Sequence, residues 1–408
     1  MVGRLKGNGQ SLIMTKKKVR AQTPVCGNID SYRFMEIVVQ PSRDVDWQPS
    51  SGTVSCPDAA ALTGGARQMR YLQWQAPDCT TPDHVVVCVH GLTRNGRDFD
   101  VLARQLAKTC TVIAVDVAGR GQSDWLANPD LYGVPLYVAD HIHLLRHLHD
   151  KLSPRIIDWV GTSMGGLIGM GVASLPVAVL PMPIRRLVLN DVGPTLEFDA
   201  LRRIGTYVGK STSFPTVQAG ADALWQVCKG FGPHTPEQWL ALSAPMLNEQ
   251  DGHYVAHYDP AIGLAFQSFD RPDAAALVEK GNQALWHAYA GITAQTLVIR
   301  GEESDLLTAT TLTAMTQRGP RARTYTVSGV GHAPTLIANT TTTPSHLRPP
   351  AASASGGRAV AALGAPSAGS ALGTTVVCEL GPGQAAKISF ESIRNWRQTL
   401  AARARVNV

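Results

Sequence analysis

At 408 residues, 44% hydrophobic and 17% charged, the chain is long and apolar enough to bury a large core, which excludes a disordered or collagen-like polypeptide. Its net charge of +6 resides in the first 43 residues, where eight Lys and Arg face two acidic residues; the rest is neutral, with 29 basic and 29 acidic residues. A neutral body with a basic, aromatic-poor arm gives no footprint of nucleic-acid recognition, and seven scattered cysteines without a C-x-x-C pair give neither a disulfide framework nor a zinc site.

Residues 1–65 carry little periodicity and many Gly, Pro and Ser, and are expected to be a basic, disordered extension. No apolar stretch follows Lys16–Arg20, so no secretory signal is expected, and no run approaches the roughly 18 apolar residues of a membrane span; a cytoplasmic location follows. The fold is expected to begin near Arg67 with a strand over Gln68–Trp74. The continuously apolar run from Val85 to Val89 then reads as a central parallel strand buried on both faces. It ends in His90-Gly91-Leu92, where Gly91 lets backbones approach, the Leu92 N–H can bind an oxyanion and His90 braces the loop by hydrogen bonding. Cys88 within this strand reads as an inert buried hydrophobe.

A helix is expected from about Pro135 to Leu152. Its His143 and His147 stand at a metal-binding spacing, but the stripe Val138, Ile142, Leu145, Leu148 and Leu152 turns them to solvent and no H-E-x-x-H glutamate is present, so no metal is expected. Next, the strand Arg155–Val160 runs into Gly161-Thr162-Ser163-Met164-Gly165 and a helix from Met164 to Ala173. Strand, sharp turn and helix around G-x-S-x-G are the context of a nucleophile elbow, which lifts a strained serine to the helix N-terminus. Ser163 is the candidate nucleophile, and the Met164 N–H the second oxyanion donor.

An acyl-transfer serine also requires a base and a carboxylate to orient it. The base is read as His332, in a glycine-flanked loop directly after the β-rich run Arg323–Val327. The carboxylate is read as Asp305, past the strand Gln295–Arg300, because the order Ser, Asp, His fits the elbow class. Asp191, after the strand Arg186–Asn190, is the other contender, whereas Glu302 and Glu303 read as a solvated turn.

The segments VVCVHGL, VIAVDVAGRGQSDW, GTSMGG, RLVLNDVGP, LVIRGEESDLL and GVGHAP, in order from about Met69 to Leu336, together resemble the α/β-hydrolase fold. Alternating strands and helices already indicate an α/β class. The resemblance implies a mostly parallel eight-stranded sheet flanked by helices, a helical cap inserted after strand 6, a Ser-His-Asp triad of Ser163, Asp305 and His332, and no cofactor. A serine at the elbow resembles esterases, lactonases and C–C hydrolases rather than dehalogenases or epoxide hydrolases, which carry aspartate there.

The expected organisation is a core over residues 66–194 and 287–338, a cap over 195–286, a low-complexity disordered insertion over 339–381 and a closing core helix within 382–408. The expected function is serine-dependent hydrolysis of a small-molecule ester or lactone. A C–C hydrolase using the same triad and a non-catalytic small-molecule receptor on the same scaffold are the alternatives. Arg94, Arg202 and Arg203 are possible substrate anchors, though read more simply as surface arginines. Oligomeric state and acyl preference are not encoded in any pattern.

Overall fold

The computed structural model describes residues 48–58, 65–210 and 212–337. The expectations for the insertion, the closing helix and most of the N-terminal extension fall outside these residues.

One eight-stranded sheet organises the molecule. Its first strands are β1 (Ser50–Pro57), β2 (Ala66–Trp74), β3 (His84–Val89), β4 (Thr111–Val115), β5 (Ile156–Thr162) and β6 (Ile184–Asn190). After an excursion, β10 (Gln295–Gly301) and β11 (Arg323–Val327) complete it in the order β1-β2-β4-β3-β5-β6-β10-β11. The strands from β4 to β11 pair in parallel, and β2 and β1 close one edge antiparallel. β1 corrects the expected start near Arg67, for it pairs with β2 along its whole length. Only Val54 and Cys56 of its eight residues are buried, so its Ser- and Gly-rich sequence shows little pattern, and pairing to β2 supplies the order.

The unbroken apolar run of β3 has the expected cause. Val85, Val87 and Val89 enter the core on one face of the sheet while Val86 and Cys88 enter the core on the other, as strand alternation requires. On the first face, α2 (Val134–Leu152) and α3 (Met164–Ala173) contribute Leu144, Leu145, Leu148 and Ile168; on the second, α1 (Asp100–Leu106) contributes Leu102, Ala103 and Leu106. Each such Val, Leu or Ile side chain removed from water stabilises the fold by roughly 1.5–3 kcal/mol. The buried face of α2 runs through Tyr137, Asp140, His141 and Leu144, so His141 is interior, while His147 is partly exposed and bonds the Tyr71 hydroxyl (3.1 Å). Among the described residues, no cluster of three or more His, Cys, Asp or Glu is arranged to hold a metal, and no helix is long and apolar enough to cross a membrane.

Between β6 and β10 the chain leaves the sheet. It forms α4 (Phe198–Gly205), α5 (Val217–Cys228), α6 (Pro236–Ser243) and α7 (Ala274–Ala290), a long 3₁₀ stretch over Pro260–Asp270, and a small antiparallel sheet. That sheet comprises β7 (Ser213–Phe214), β8 (Leu247–Gln250) and β9 (His253–Ala256) in the order β7-β9-β8, so the excursion is not purely helical. The β8–β9 hairpin turns on Asp251-Gly252, both at positive φ (50° and 77°), the dipeptide and geometry of a two-residue primed turn. A final helix, α8 (Ala309–Gln317), joins β10 to β11.

Candidate active site

Ser163 stands at the turn from β5 into α3 with φ 51° and ψ −114°, a conformation that a non-glycine residue holds only when its surroundings impose it. The neighbouring glycines make that imposition possible. A Cβ on Gly161 would lie 2.2 Å from the Gly165 carbonyl oxygen, and one on Gly165 would lie 2.0 Å from that of Val89, so neither position admits a side chain. The Ser163 N–H donates to the Asn190 carbonyl (2.9 Å), which ties the turn to the end of β6.

Ser163 and His332 come together as expected: His332 Nε2 lies 2.9 Å from Ser163 Oγ. The carboxylate does not follow expectation. His332 Nδ1 lies 2.6 Å from Oδ2 of Asp191, which directly follows β6 and is fully buried. Asp305 instead lies at the surface, its side chain 46% exposed, in a two-pronged ion pair with Arg203 of α4 (2.7 and 2.9 Å). The reason is the path of the chain after β10. There Ser304, one residue earlier, turns inward and donates its hydroxyl to Asp191 Oδ2 (2.6 Å), while the Gly301 N–H donates to Asp191 Oδ1 (2.7 Å). Asp191 therefore accepts from three donors and presents one orientation to the imidazole.

With Nδ1–H donating to Asp191, Nε2 is the acceptor for the Ser163 hydroxyl proton, which is the tautomer a general base requires. The His332 loop is itself anchored. The Gly331 N–H donates to the Gly230 carbonyl (2.7 Å), the Glu303 N–H to the Val330 carbonyl (2.9 Å), and the Asn190 amide to the Pro334 carbonyl (2.8 Å).

Leu92 and Ser163 line one cavity, and Met164 opens α3 immediately after Ser163. Beneath them lies Arg120, which is fully buried and was not singled out by sequence. Its Nε donates to the Leu92 carbonyl (2.9 Å), its Nη1 to the Ala118 carbonyl and the Tyr137 hydroxyl (2.8 and 2.7 Å), and its Nη2 reaches Met164 Sδ at 3.6 Å. One buried cation thus braces both residues whose amides are the expected oxyanion donors. Its only sequence signal is its place between Gly119 and Gly121, both at positive φ.

His90 is a brace. The Val117 N–H donates to its Nε2 (3.0 Å) and its Nδ1–H donates to the Gly91 carbonyl (2.7 Å), while burial lowers its pKa to about 3 and keeps it neutral.

The cavity measures about 290 Å³, and Ser163 and His332 line it. Among the aromatics between β6 and β10, Tyr207, Phe214 and Phe231 line it. Trp225 and Trp239 instead pack edge to face, ring centres 5.0 Å apart, and Trp286 hydrogen-bonds Thr195 (2.9 Å). Arg94 is not a surface arginine: it is 95% buried and lines the cavity.

Known proteins resemble this chain over much of its length. Residues 86–338 match the model of the alpha/beta hydrolase family. A 3-hydroxybutyrate-oligomer hydrolase of Cupriavidus necator is 42% identical over 293 residues, 71% of this chain and 94% of that protein. A 2-(acetamidomethylene)succinate hydrolase of Mesorhizobium japonicum is 28% identical over 60% of this chain and 79% of its own. Among solved structures, an alpha/beta hydrolase from Novosphingobium aromaticivorans superposes with a TM-score of 0.58 at 31% identity, covering 71% of this chain and 93% of that one.

Proposed function

The chain belongs to the alpha/beta hydrolase family, and from that premise we propose that it hydrolyses carboxylic esters through Ser163, His332 and Asp191. The observation that carries the reading is the continuous path from Ser163 Oγ to His332 Nε2 (2.9 Å) and from His332 Nδ1 to Asp191 (2.6 Å), with Ser163 and His332 lining a cavity. Ser163 attacks the ester carbonyl as His332 takes its proton, and the imidazolium so formed is held by the buried carboxylate. The tetrahedral oxygen is received by the Leu92 and Met164 N–H groups. His332 then returns the proton to the departing alkoxide, leaving an acyl group on Ser163, and a water activated by His332 releases the acid. Internal esters, the lactones, fall under the same chemistry.

The relative supports a reading of the substrate class. Identity of 42% across 94% of a 3-hydroxybutyrate-oligomer hydrolase favours short linear esters of hydroxy acids. A cavity of about 290 Å³, at the small end for ligand sites, suits a short oligomer better than a polymer chain. The test is to incubate the protein with 3-hydroxybutyrate dimer and trimer and quantify released monomer by liquid chromatography. Monomer release that disappears in Ser163→Ala supports the reading; no release from either oligomer, with no hydrolysis of simple butyrate esters, refutes it.

A further inference from the structure

The excursion between β6 and β10 touches the segment that carries the base. Its helices α5 and α6 are joined by a turn, Lys229-Gly230-Phe231-Gly232-Pro233-His234-Thr235, that lies on the chain from Val330 to Thr335. At Gly230 the contact is backbone on backbone. A Cβ there would stand 3.1 and 3.2 Å from the His332 nitrogen and carbonyl oxygen, and one on Gly232 would stand 2.8 Å from a Val330 methyl. The Gly331 N–H donates to the Gly230 carbonyl (2.7 Å), one residue before His332. On the other side of His332, the Thr335 hydroxyl lies 2.8 Å from His234 Nε2. The Gly232 carbonyl, 2.8 Å from His234 Nδ1, can only accept, so Nδ1 carries the proton and Nε2 accepts from Thr335. Burial lowers the His234 pKa and so favours this neutral form. The imidazole meets the Trp239 ring edge to face, centres 5.7 Å apart, and the turn is closed by the capping box of Thr235 and Gln238. Beyond Thr335, Ile337 packs with Trp239 in the small apolar cluster of α5 and α6.

We infer that His234 is a positioning residue for the general base: acting through Thr335, and together with the Gly230 carbonyl, it holds the segment that places His332 between Ser163 and Asp191. The inference rests on the ester-hydrolase reading above and adds to it a residue that does not line the cavity. The core anchors this segment at Val330 and Pro334, through the Glu303 N–H and the Asn190 amide, while the turn anchors it at Gly331 and Thr335. Bonds from the two sources thus alternate along the segment, with His332 between them. Removing the His234 imidazole deletes the turn's hydrogen bond on the C-terminal side of His332 and leaves the one at Gly331. The base then keeps its neighbours but samples arrangements in which Nε2 is displaced from Ser163 Oγ, and a catalytic group gains its rate advantage only while it is held in place.

The experiment measures kcat and KM for p-nitrophenyl butyrate in His234→Ala, Thr335→Val, the double variant, Thr335→Ser and Gly230→Ala, with thermal melts by circular dichroism to compare their folds. One such hydrogen bond is worth roughly two- to tenfold in an equilibrium constant, here that between the seated and displaced arrangements of the segment. His234→Ala and Thr335→Val should therefore each lower kcat about three- to tenfold. KM should stay within about twofold, because His332 serves acylation and deacylation alike. The double variant should lose no more than the worse of the two singles, since both remove the same bond. Thr335→Ser keeps the hydroxyl and should stay within about twofold of wild type. Gly230→Ala sets a methyl against the His332 backbone and should lower kcat by a similar factor. A merely structural role would lower the melting temperature and leave kcat unchanged, and that result overturns the inference. Losses that multiply in the double variant, or an effect confined to KM, overturn it as well. If His234→Ala does not fold, Thr335→Val against Thr335→Ser decides: equal kcat for the two overturns the inference. Each of these results leaves the hydrolase reading intact while wild type is active and Ser163→Ala is not; a wild type inactive on the ester overturns both.

Discussion

Replacing Asp191 by Asn separates the carboxylate that touches His332 from Asp305, the one expected from sequence. The carboxylate accepts from three donors, the His332 Nδ1–H, the Ser304 hydroxyl and the Gly301 N–H, at 2.6, 2.6 and 2.7 Å. An amide turned to keep its oxygen toward one side presents N–H₂ protons to the other, so either Gly301 or the imidazole meets a donor where it needs an acceptor. If the imidazole yields, its proton moves to Nε2 and the base is lost; the equivalent change in a serine protease lowers kcat about 10⁴-fold. We expect a loss on the order of 10³- to 10⁴-fold in kcat for Asp191→Asn, or roughly 4–5.5 kcal/mol of transition-state stabilisation. Asp305→Asn breaks only an exposed pair with Arg203, worth roughly 0–1 kcal/mol, and should change kcat less than about threefold. The assay is p-nitrophenyl butyrate hydrolysis under saturating substrate, with circular dichroism to establish that both variants fold. A larger loss for Asp305→Asn than for Asp191→Asn would refute the reasoning.

Other outcomes follow from the same geometry. Ser304→Ala removes one donor to the buried carboxylate and the acceptor for the Leu307 N–H, and should lower kcat about tenfold with KM little changed in steady-state assays. Arg120→Met releases the Leu92 carbonyl, the Tyr137 hydroxyl and Met164; kcat should fall about 10- to 100-fold and urea unfolding should show a loss of about 2–5 kcal/mol. Burial lowers the pKa of His90 to about 3 and of His141 to about 4, from 6.5 when unfolded. Below pH 6.5 the unfolded chain therefore binds more protons than the folded one, and stability should decline as pH falls, by about 2 kcal/mol per histidine at pH 5. Urea midpoints at pH 7.5 and pH 5 measure this, and His141→Gln should remove about half of the decline.

Much of the site is legible in the sequence because the elbow tolerates so few alternatives. Gly161 and Gly165 are fixed because an added Cβ would meet backbone oxygens at 2.2 and 2.0 Å, so the motif and its strand-turn-helix setting lead directly to Ser163. His332 follows because it is the histidine that a glycine-flanked loop delivers to the end of a strand. The carboxylate is not legible in the same way. Both Asp191 and Asp305 obey the order Ser, Asp, His, and the choice is made in three dimensions by which way Ser304 turns. Arg94 misleads for a related reason: arginine in a polar loop reads as solvated, and only the folded chain shows that Asp98 and Leu242 draw it inside. The strand at Ser50–Pro57 and the β8–β9 hairpin show the same limit from two sides. The first has almost no pattern to read, whereas the second carries a readable Asp-Gly turn within the segment expected to form a helical cap.

The most direct test of the central claim is to label the protein with an active-site fluorophosphonate, map the adduct by peptide mass spectrometry, and follow ester hydrolysis in the same samples. A single adduct on Ser163, formed in step with loss of activity and absent from Ser163→Ala, is the predicted result. Hydrolysis that persists in Ser163→Ala, or an adduct on another residue that abolishes it, would contradict the assignment of Ser163 as nucleophile.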